Sequence, residues 1–262
     1  MPFIESVKAA VKRVPLLYRT LKRVRRESTK RSLAKFREPC VTVGREVPNP
    51  TFVKVGANDG VTGDPCSDIL LSGTAWKGLL IEPVPSCFEQ LRDSFGDPDR
   101  FVLEQVAIGA KSGSVTFYFV DSEAALKSIP NLPSWHDQLG SFDKSHITKH
   151  LGGRLRPFIR EMEVQVIPLN EALKRNNIRN AHLVHIDTEG HDFEVLKSLD
   201  FTNHSPVLIF IEHAHLRTGD KKSMRRFLQE RGYSVRDCGG DYFGLHKEAS
   251  RALHRKTVKT AS

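Results

Sequence analysis

The stretch from Thr51 to Pro85 constrains the fold of this chain more than any other. An apolar run (Phe52, Val53, Val55) ends in Gly56, and Gly60 and Gly63 follow within one short loop. A second apolar run (Leu79, Leu80, Ile81) ends in the carboxylate of Glu82. This is the layout of a βαβ nucleoside-binding unit: glycines let the backbone approach the ligand, and an acid closing the second strand accepts the ribose hydroxyl hydrogens. The three glycines do not make G-x-G-x-x-G, the tighter turn that aims a helix N-terminus at a pyrophosphate. The G-x-x-x-G loop, with Asn58, Asp59 and Gly60 in it, therefore suits a nucleoside ligand that carries no pyrophosphate.

Downstream, strand-like and helix-like segments alternate. Strands are expected at Phe52–Val55, Gly78–Glu82, Phe101–Ala107, Ser114–Val120, Glu161–Ile167, His182–Asp187 and Pro206–Glu212. Helices are expected at Asp64–Ser72 with Asp64 as cap, Ser86–Ser94, Leu169–Asn176, Glu189–Leu199 and Lys221–Arg231. Tyr233–Cys238 and Tyr242–His246 read as a hairpin around Gly239-Gly240. Alternation of this kind predicts an α/β fold with a mostly parallel sheet, helices on both faces and an antiparallel C-terminal edge. The segment 122–160 breaks the rhythm with three prolines, Trp135, Phe142 and three histidines. Ligands of open α/β sheets bind outside the carboxyl ends of the strands, so this insertion is read as a lid over the substrate side.

Charge divides the chain. Residues 1–38 hold twelve Lys and Arg against three Glu, so the entire formal excess of +9 lies there and the rest of the chain balances. Within that leader Phe3, Ile4, Val7, Val11, Val14, Tyr18 and Leu21 recur at helical steps, with Pro15 expected to kink the helix. The domain reading is thus a basic amphipathic extension at 1–38, a catalytic domain at 39–248 and a basic tail at 249–262. The extension suits packing on the domain or attraction to an anionic membrane surface. Nucleic acid is not expected, because no recognised module or aromatic interleaving accompanies the charge. No run of eighteen apolar residues could span a bilayer. Cys40, Cys66, Cys87 and Cys238 lie far apart with no C-x-x-C pair, which fits a reducing cytosol and ordinary buried thiols.

Three further segments make a resemblance specific: FVLEQVAIG at 101–109, HLVHIDTEGHDFEVL at 182–196 and PVLIFIE at 206–212. With VGANDG and LLIEPVP, the region from about 51 to 246 resembles the FkbM-type methyltransferases that use S-adenosylmethionine. The resemblance implies a Rossmann-like methyltransferase fold built on a seven-stranded-type sheet. It also implies a cofactor site at Gly56, Asn58, Asp59, Gly60, Glu82, Ala107, Ile108 and Asp187, and an acceptor that is a small-molecule or glycan hydroxyl. One departure is visible. Such loops often carry an acid two residues before the first glycine, where this chain has Lys54, so Asp59 is the nearest carboxylate for the amino end of the methionine moiety.

An alcohol is a poor nucleophile, so oxygen methylation calls for a base at the strand ends. His191 is the best base by intrinsic pKa and Asp187 by position, with Glu189 beside them. His213 and His215, two apart on an extended chain, would point the same way and line the acceptor pocket with Trp135. Asp187, Glu189, His213 and His215 could converge on Mn or Fe, but their spacing is no recognised ligand motif and no metal site is assigned. Two other functions compete. A nicotinamide-dependent oxidoreductase lacks support from the glycine loop, and no Tyr-x-x-x-Lys dyad follows Thr51. A non-catalytic cofactor-binding module has Lys54 as its only hint.

Overall fold

The computed structural model describes residues 36–72 and 75–251. The amphipathic stripe read at positions 3–21 lies outside them. Seven strands form one sheet: β1 (Thr51–Val55), β2 (Lys77–Ile81), β3 (Phe101–Glu104), β7 (Leu183–Ile186), β8 (Leu208–Glu212), β9 (Tyr233–Asp237) and β10 (Asp241–His246), in the order β3-β2-β1-β7-β8-β10-β9. The first five pair in parallel, whereas β10 runs antiparallel to both neighbours. The mostly parallel sheet with an antiparallel C-terminal edge is as expected. Counted along the chain, strand order reverses between β1 and β7, which is where a doubly wound sheet opens a ligand crevice at its carboxyl edge. Runs such as Leu79-Leu80-Ile81 and Leu208–Ile211 are buried on both faces, as central parallel strands require.

The sequence pattern gives no sign of a second sheet. The run expected at Phe101–Ala107 as one strand is two: β3 stays in the large sheet, and β4 (Ala107–Ile108) pairs with β6 (Ile159–Ile167) in a three-stranded sheet β4-β6-β5. β5 (Gly113–Val120) pairs with β6 antiparallel from Gly113↔Val166 to Val120↔Ile159. The insertion 122–160 is therefore the connection of this long hairpin. It has its own core of Ala125, Ile129, Leu139, Ile147 and Leu155, and Asp121 and Asp143 cap its short helices Ser122–Ser128 and Lys144–Thr148.

The boundary drawn between 38 and 39 falls inside a helix, because residues 36–46 are helical. Phe36 is fully buried, stacking on Phe210 at 4.6 Å and meeting Phe243 edge-on at 5.1 Å, and Arg37 pairs with Asp68 at 2.6 Å. Phe36 belongs to the core despite the charged sequence around it. Truncating the Phe36 ring to Ala in the full-length chain should cost about 3 kcal/mol, the loss of a large core side chain plus its cavity. A denaturant midpoint equal to wild type would show that this helix does not pack as described.

Candidate active site

A cavity of about 300 Å³ opens at the carboxyl edge of the large sheet, at the β1/β7 switch point. It is lined by the end of β1 and its loop (Lys54, Gly56, Ala57, Asn58), by Glu82 after β2, and by Asp187, Thr188 and Glu189 after β7. Glu212 and Asp241 close it from β8 and β10, and Ala107 and Ile108 come from β4. The insertion supplies Asp137, Gln138, Gly140 and Phe142, so the segment read as a lid does border the cavity.

Glu82 is buried, and its two oxygens accept from the backbone N–H groups of Asn58 and Val84, each at 2.9 Å. Burial pushes its carboxyl up to about 7, against the lowering effect of those two donors. Gly56 is left-handed, with φ +74°, and a Cβ there would lie 1.7 Å from the carbonyl oxygen of Asp187. Two strand ends thus meet with no room between them.

Asp59 stands apart from the cavity. One of its oxygens accepts from the N–H groups of Val61 and Thr62, and the other from the Thr62 hydroxyl, so it shapes the loop. The unexpected Lys54 has its counter-charge in Asp64, at 2.6 Å, with both side chains buried and His185 Nδ1 3.3 Å from the same oxygen. Burial acts to raise the Asp64 pKa, but Lys54 and His185 hold it far below the usual carboxylate range. Asp64 does not cap a helix as expected. It accepts from the N–H groups of Cys66 and Ser67, and the helix begins at Ser67. A buried lysine needs a partner, and that requirement was the available signal for Asp64.

After β7 the chain does not enter a helix at Glu189. Glu189 and Gly190 adopt φ +53° and +106°, and the helix spans Asp192–Lys197 with His191 before its first residue. The fully buried Asp192, which sequence reasoning passed over, holds this turn by accepting from the Thr188 N–H and hydroxyl and from the Gly190 N–H. Non-glycine residues with positive φ concentrate at functional sites, and here the strained turn aims Glu189 at the cavity. Asp187 faces the same space, its carboxyl pushed up to about 6 by burial and by Glu189. His191 does not line the cavity. Its ring packs edge-on against Phe142 at 5.0 Å, and burial lowers its pKa.

The two histidines after β8 diverge, contrary to the alternation read from sequence. The strand ends at Glu212 and the chain turns, Leu216 N–H donating to the His213 carbonyl. His213 lies on Tyr242 at 4.0 Å and faces Asp237, away from the cavity. His215 instead reaches Glu189 at 3.2 Å and Glu212 at 3.3 Å. His215 and Trp135 share a smaller cavity of about 210 Å³ with Gln138, Leu139, His150 and Glu189, and Gln138 and Glu189 also line the larger one. His146 and His150, which sequence reasoning left within the insertion, join this group; their i, i+4 spacing was the signal to read.

A doubly wound sheet with a glycine loop, a buried acid after its second strand and a crevice at the switch point defines the Rossmann-like α/β class. The family model for the methyltransferase FkbM domain matches residues 54–235, and the chain belongs to that methyltransferase family. No curated protein matches the chain. Among solved structures, methyltransferase FkbM from Methylobacillus flagellatus KT is similar, at 14% identity and a TM-score of 0.46. The match covers 75% of this chain and 43% of that one, so the chain spans less than half the length of that protein. Among the described residues, no helix is long and apolar enough to cross a membrane.

Proposed function

We propose that the chain transfers a methyl group from S-adenosylmethionine to a hydroxyl oxygen of a sugar, glycan or other natural product. The observation that carries this reading is Glu82, a buried carboxylate at the switch point whose oxygens each retain a lone pair beyond the one used by Asn58 or Val84. Two ribose hydroxyls donating to those lone pairs would satisfy the group. Ala107 and Ile108 offer an apolar wall for a base. The Lys54–Asp64 pair suits the zwitterionic end of the methionine moiety, an ammonium beside Asp64 and a carboxylate beside Lys54. The acid missing at position 54 is then replaced ten residues later rather than lost.

Held by Glu82 and the Lys54–Asp64 pair, S-adenosylmethionine would supply an electrophilic sulfonium methyl group for the acceptor oxygen. Asp187 is the cavity carboxylate placed to take the hydroxyl proton. Phe142, Gly140 and Gln138 from the insertion line that space and would shield the bound groups from water.

Calorimetry with S-adenosylmethionine, S-adenosylhomocysteine and NAD tests the reading. The first two should bind and NAD should not; NAD binding without S-adenosylhomocysteine binding would overturn it. Glu82→Ala should weaken S-adenosylhomocysteine binding by about 1–3 kcal/mol, the cost of unpaired buried hydroxyls. The raised pKa fixes the sign of a pH effect. With its carboxyl at about 7, Glu82 holds a proton below neutrality and loses acceptor capacity there. Affinity should therefore fall as the pH drops below neutrality and level off within the about 1–3 kcal/mol that Glu82→Ala loses, and Glu82→Gln should flatten that dependence.

A further inference from the structure

We infer that His146, His150 and His215 form a binding site for a divalent first-row transition-metal ion at the junction of the two cavities, with Glu189 beside His146 and His215. The three imidazoles come from separate places: the helix Lys144–Thr148, the turn at His150, and the loop after β8. One ring nitrogen of each lies within 4.8 Å of those of the other two. Ring centroids are 4.9 Å apart for His146 and His150, and 4.6 Å for His146 and His215. Glu189 Oε2 lies 2.9 Å from His146 Nε2 and 3.2 Å from His215 Nε2, and Glu212 Oε1 is 3.3 Å from the same His215 nitrogen.

His146 Nε2 and Glu189 Oε2 are both buried and neither has a hydrogen-bond partner, although they are 2.9 Å apart. A buried imidazole nitrogen and a buried carboxylate oxygen this close, without hydrogen-bond geometry between them, are a pair that a shared cation would satisfy. Lone pairs aimed at a common point explain both at once. Nitrogen and oxygen ligands bind such ions at about 2.0–2.2 Å, so neighbouring donors at tetrahedral to octahedral angles stand about 2.9–3.5 Å apart. The observed 2.9, 3.2 and 3.3 Å fall in that interval.

The donor set selects the ion. Imidazole nitrogens with one or two carboxylates suit Zn, Mn, Fe or Co, and disfavour Mg and Ca, which take oxygen ligands. Access is graded, from the buried His146 through the half-buried His150 to the exposed His215. Because Glu189 and Gln138 line both cavities, the ion would face the space reached from Trp135 and hold an acceptor's oxygen there. That last role rests on the methyl-transfer reading; the site itself does not.

Tag-free, full-length protein stripped with a chelator should bind one equivalent of CoCl₂ with visible d–d absorption, and ZnCl₂ should displace it. His146→Ala, His150→Ala and His215→Gln should each weaken cobalt affinity at least about tenfold. His204→Gln, in the turn before β8 at the opposite edge of the sheet, should not. His215 is exposed, so its variant should fold even if the others do not, and circular dichroism checks each. Absence of both a d–d band and binding heat with CoCl₂, ZnCl₂ and MnCl₂ overturns the site, as does wild-type cobalt affinity in a folded His215→Gln. Cobalt binding without S-adenosylhomocysteine binding would uphold the site and defeat the cofactor reading instead.

Discussion

Asp187→Asn is expected to lower turnover by about 10²–10⁴ while leaving S-adenosylhomocysteine affinity nearly unchanged. That loss corresponds to about 2.7–5.5 kcal/mol of transition-state stabilisation. Asparagine keeps the volume of the side chain and removes its capacity to take a proton. The backbone should stay in place, because the Asp187 N–H donates to the Val55 carbonyl at 3.0 Å whatever the side chain is. Fold stability should hold or rise. Asp187 is one of several crowded acids: burial first, and the Asp187 charge second, push Asp192 and Asp241 up to about 7 and Glu212 up to about 11. Removing that charge relieves its neighbours, so a variant that melts no lower than wild type but turns over slowly identifies chemistry rather than scaffolding. His191→Ala provides the contrast: its ring packs on Phe142 outside the cavity, and turnover should stay within a few-fold of wild type. Asp187→Asn turning over at more than a tenth of the wild-type rate would remove it as the base.

What could be read from the chain follows from how local each signal was. The β1–loop–β2 unit was legible because its strands, its glycines and Glu82 lie within one short stretch, where periodicity and turn chemistry operate directly. The mostly parallel character of the large sheet, with its antiparallel C-terminal edge, followed from the alternation of elements. The second sheet was not legible, because β5 and β6 pair across the whole insertion and nothing local distinguishes a strand that changes sheets from one that continues. For the same reason β3 and β4 read as a single run. Phe36 was hidden by the basic residues before it, since charge along a segment says nothing about which face of its helix is buried. In the site, Asp187 and Glu189 were placed by the strand end that carries them. His213 and His215 were misjudged because alternation holds only while the chain stays extended, and β8 stops one residue before His213. The convergence of His146, His150 and His215 on Glu189 depends on tertiary packing of the insertion, and only the His146/His150 spacing was visible beforehand.

Gly56→Ala is expected to be the most damaging single methyl in the molecule. Residue 56 has φ +74°, a conformation that costs a side chain roughly 1–3 kcal/mol. Strain alone would be tolerable. The larger cost is contact: the new Cβ would fall 1.7 Å from the Asp187 carbonyl oxygen and 2.8 Å from its carbon. Both are backbone atoms just past the carboxyl end of the parallel pair β1–β7 and cannot rotate away as a flexible side chain could. The N–H groups of Gly56 and Ala57 both donate to the Ile81 carbonyl at 3.0 Å, so retreat in the other direction would break the link to β2. The switch point must open, and it carries the glycine loop, Glu82 and Asp187 with it. We expect a loss of about 4 kcal/mol or more, which lowers the melting temperature by about 8–16 °C in a chain of this size, together with loss of S-adenosylhomocysteine binding. Gly152→Ala isolates the strain, since Gly152 has φ +63° and a Cβ added there would meet nothing within 4 Å. That variant should lose only the conformational part and keep its ligand. Equal melting temperatures for the two variants would mean that the β1 and β7 ends do not approach as described, and the crevice between them would have to be drawn again.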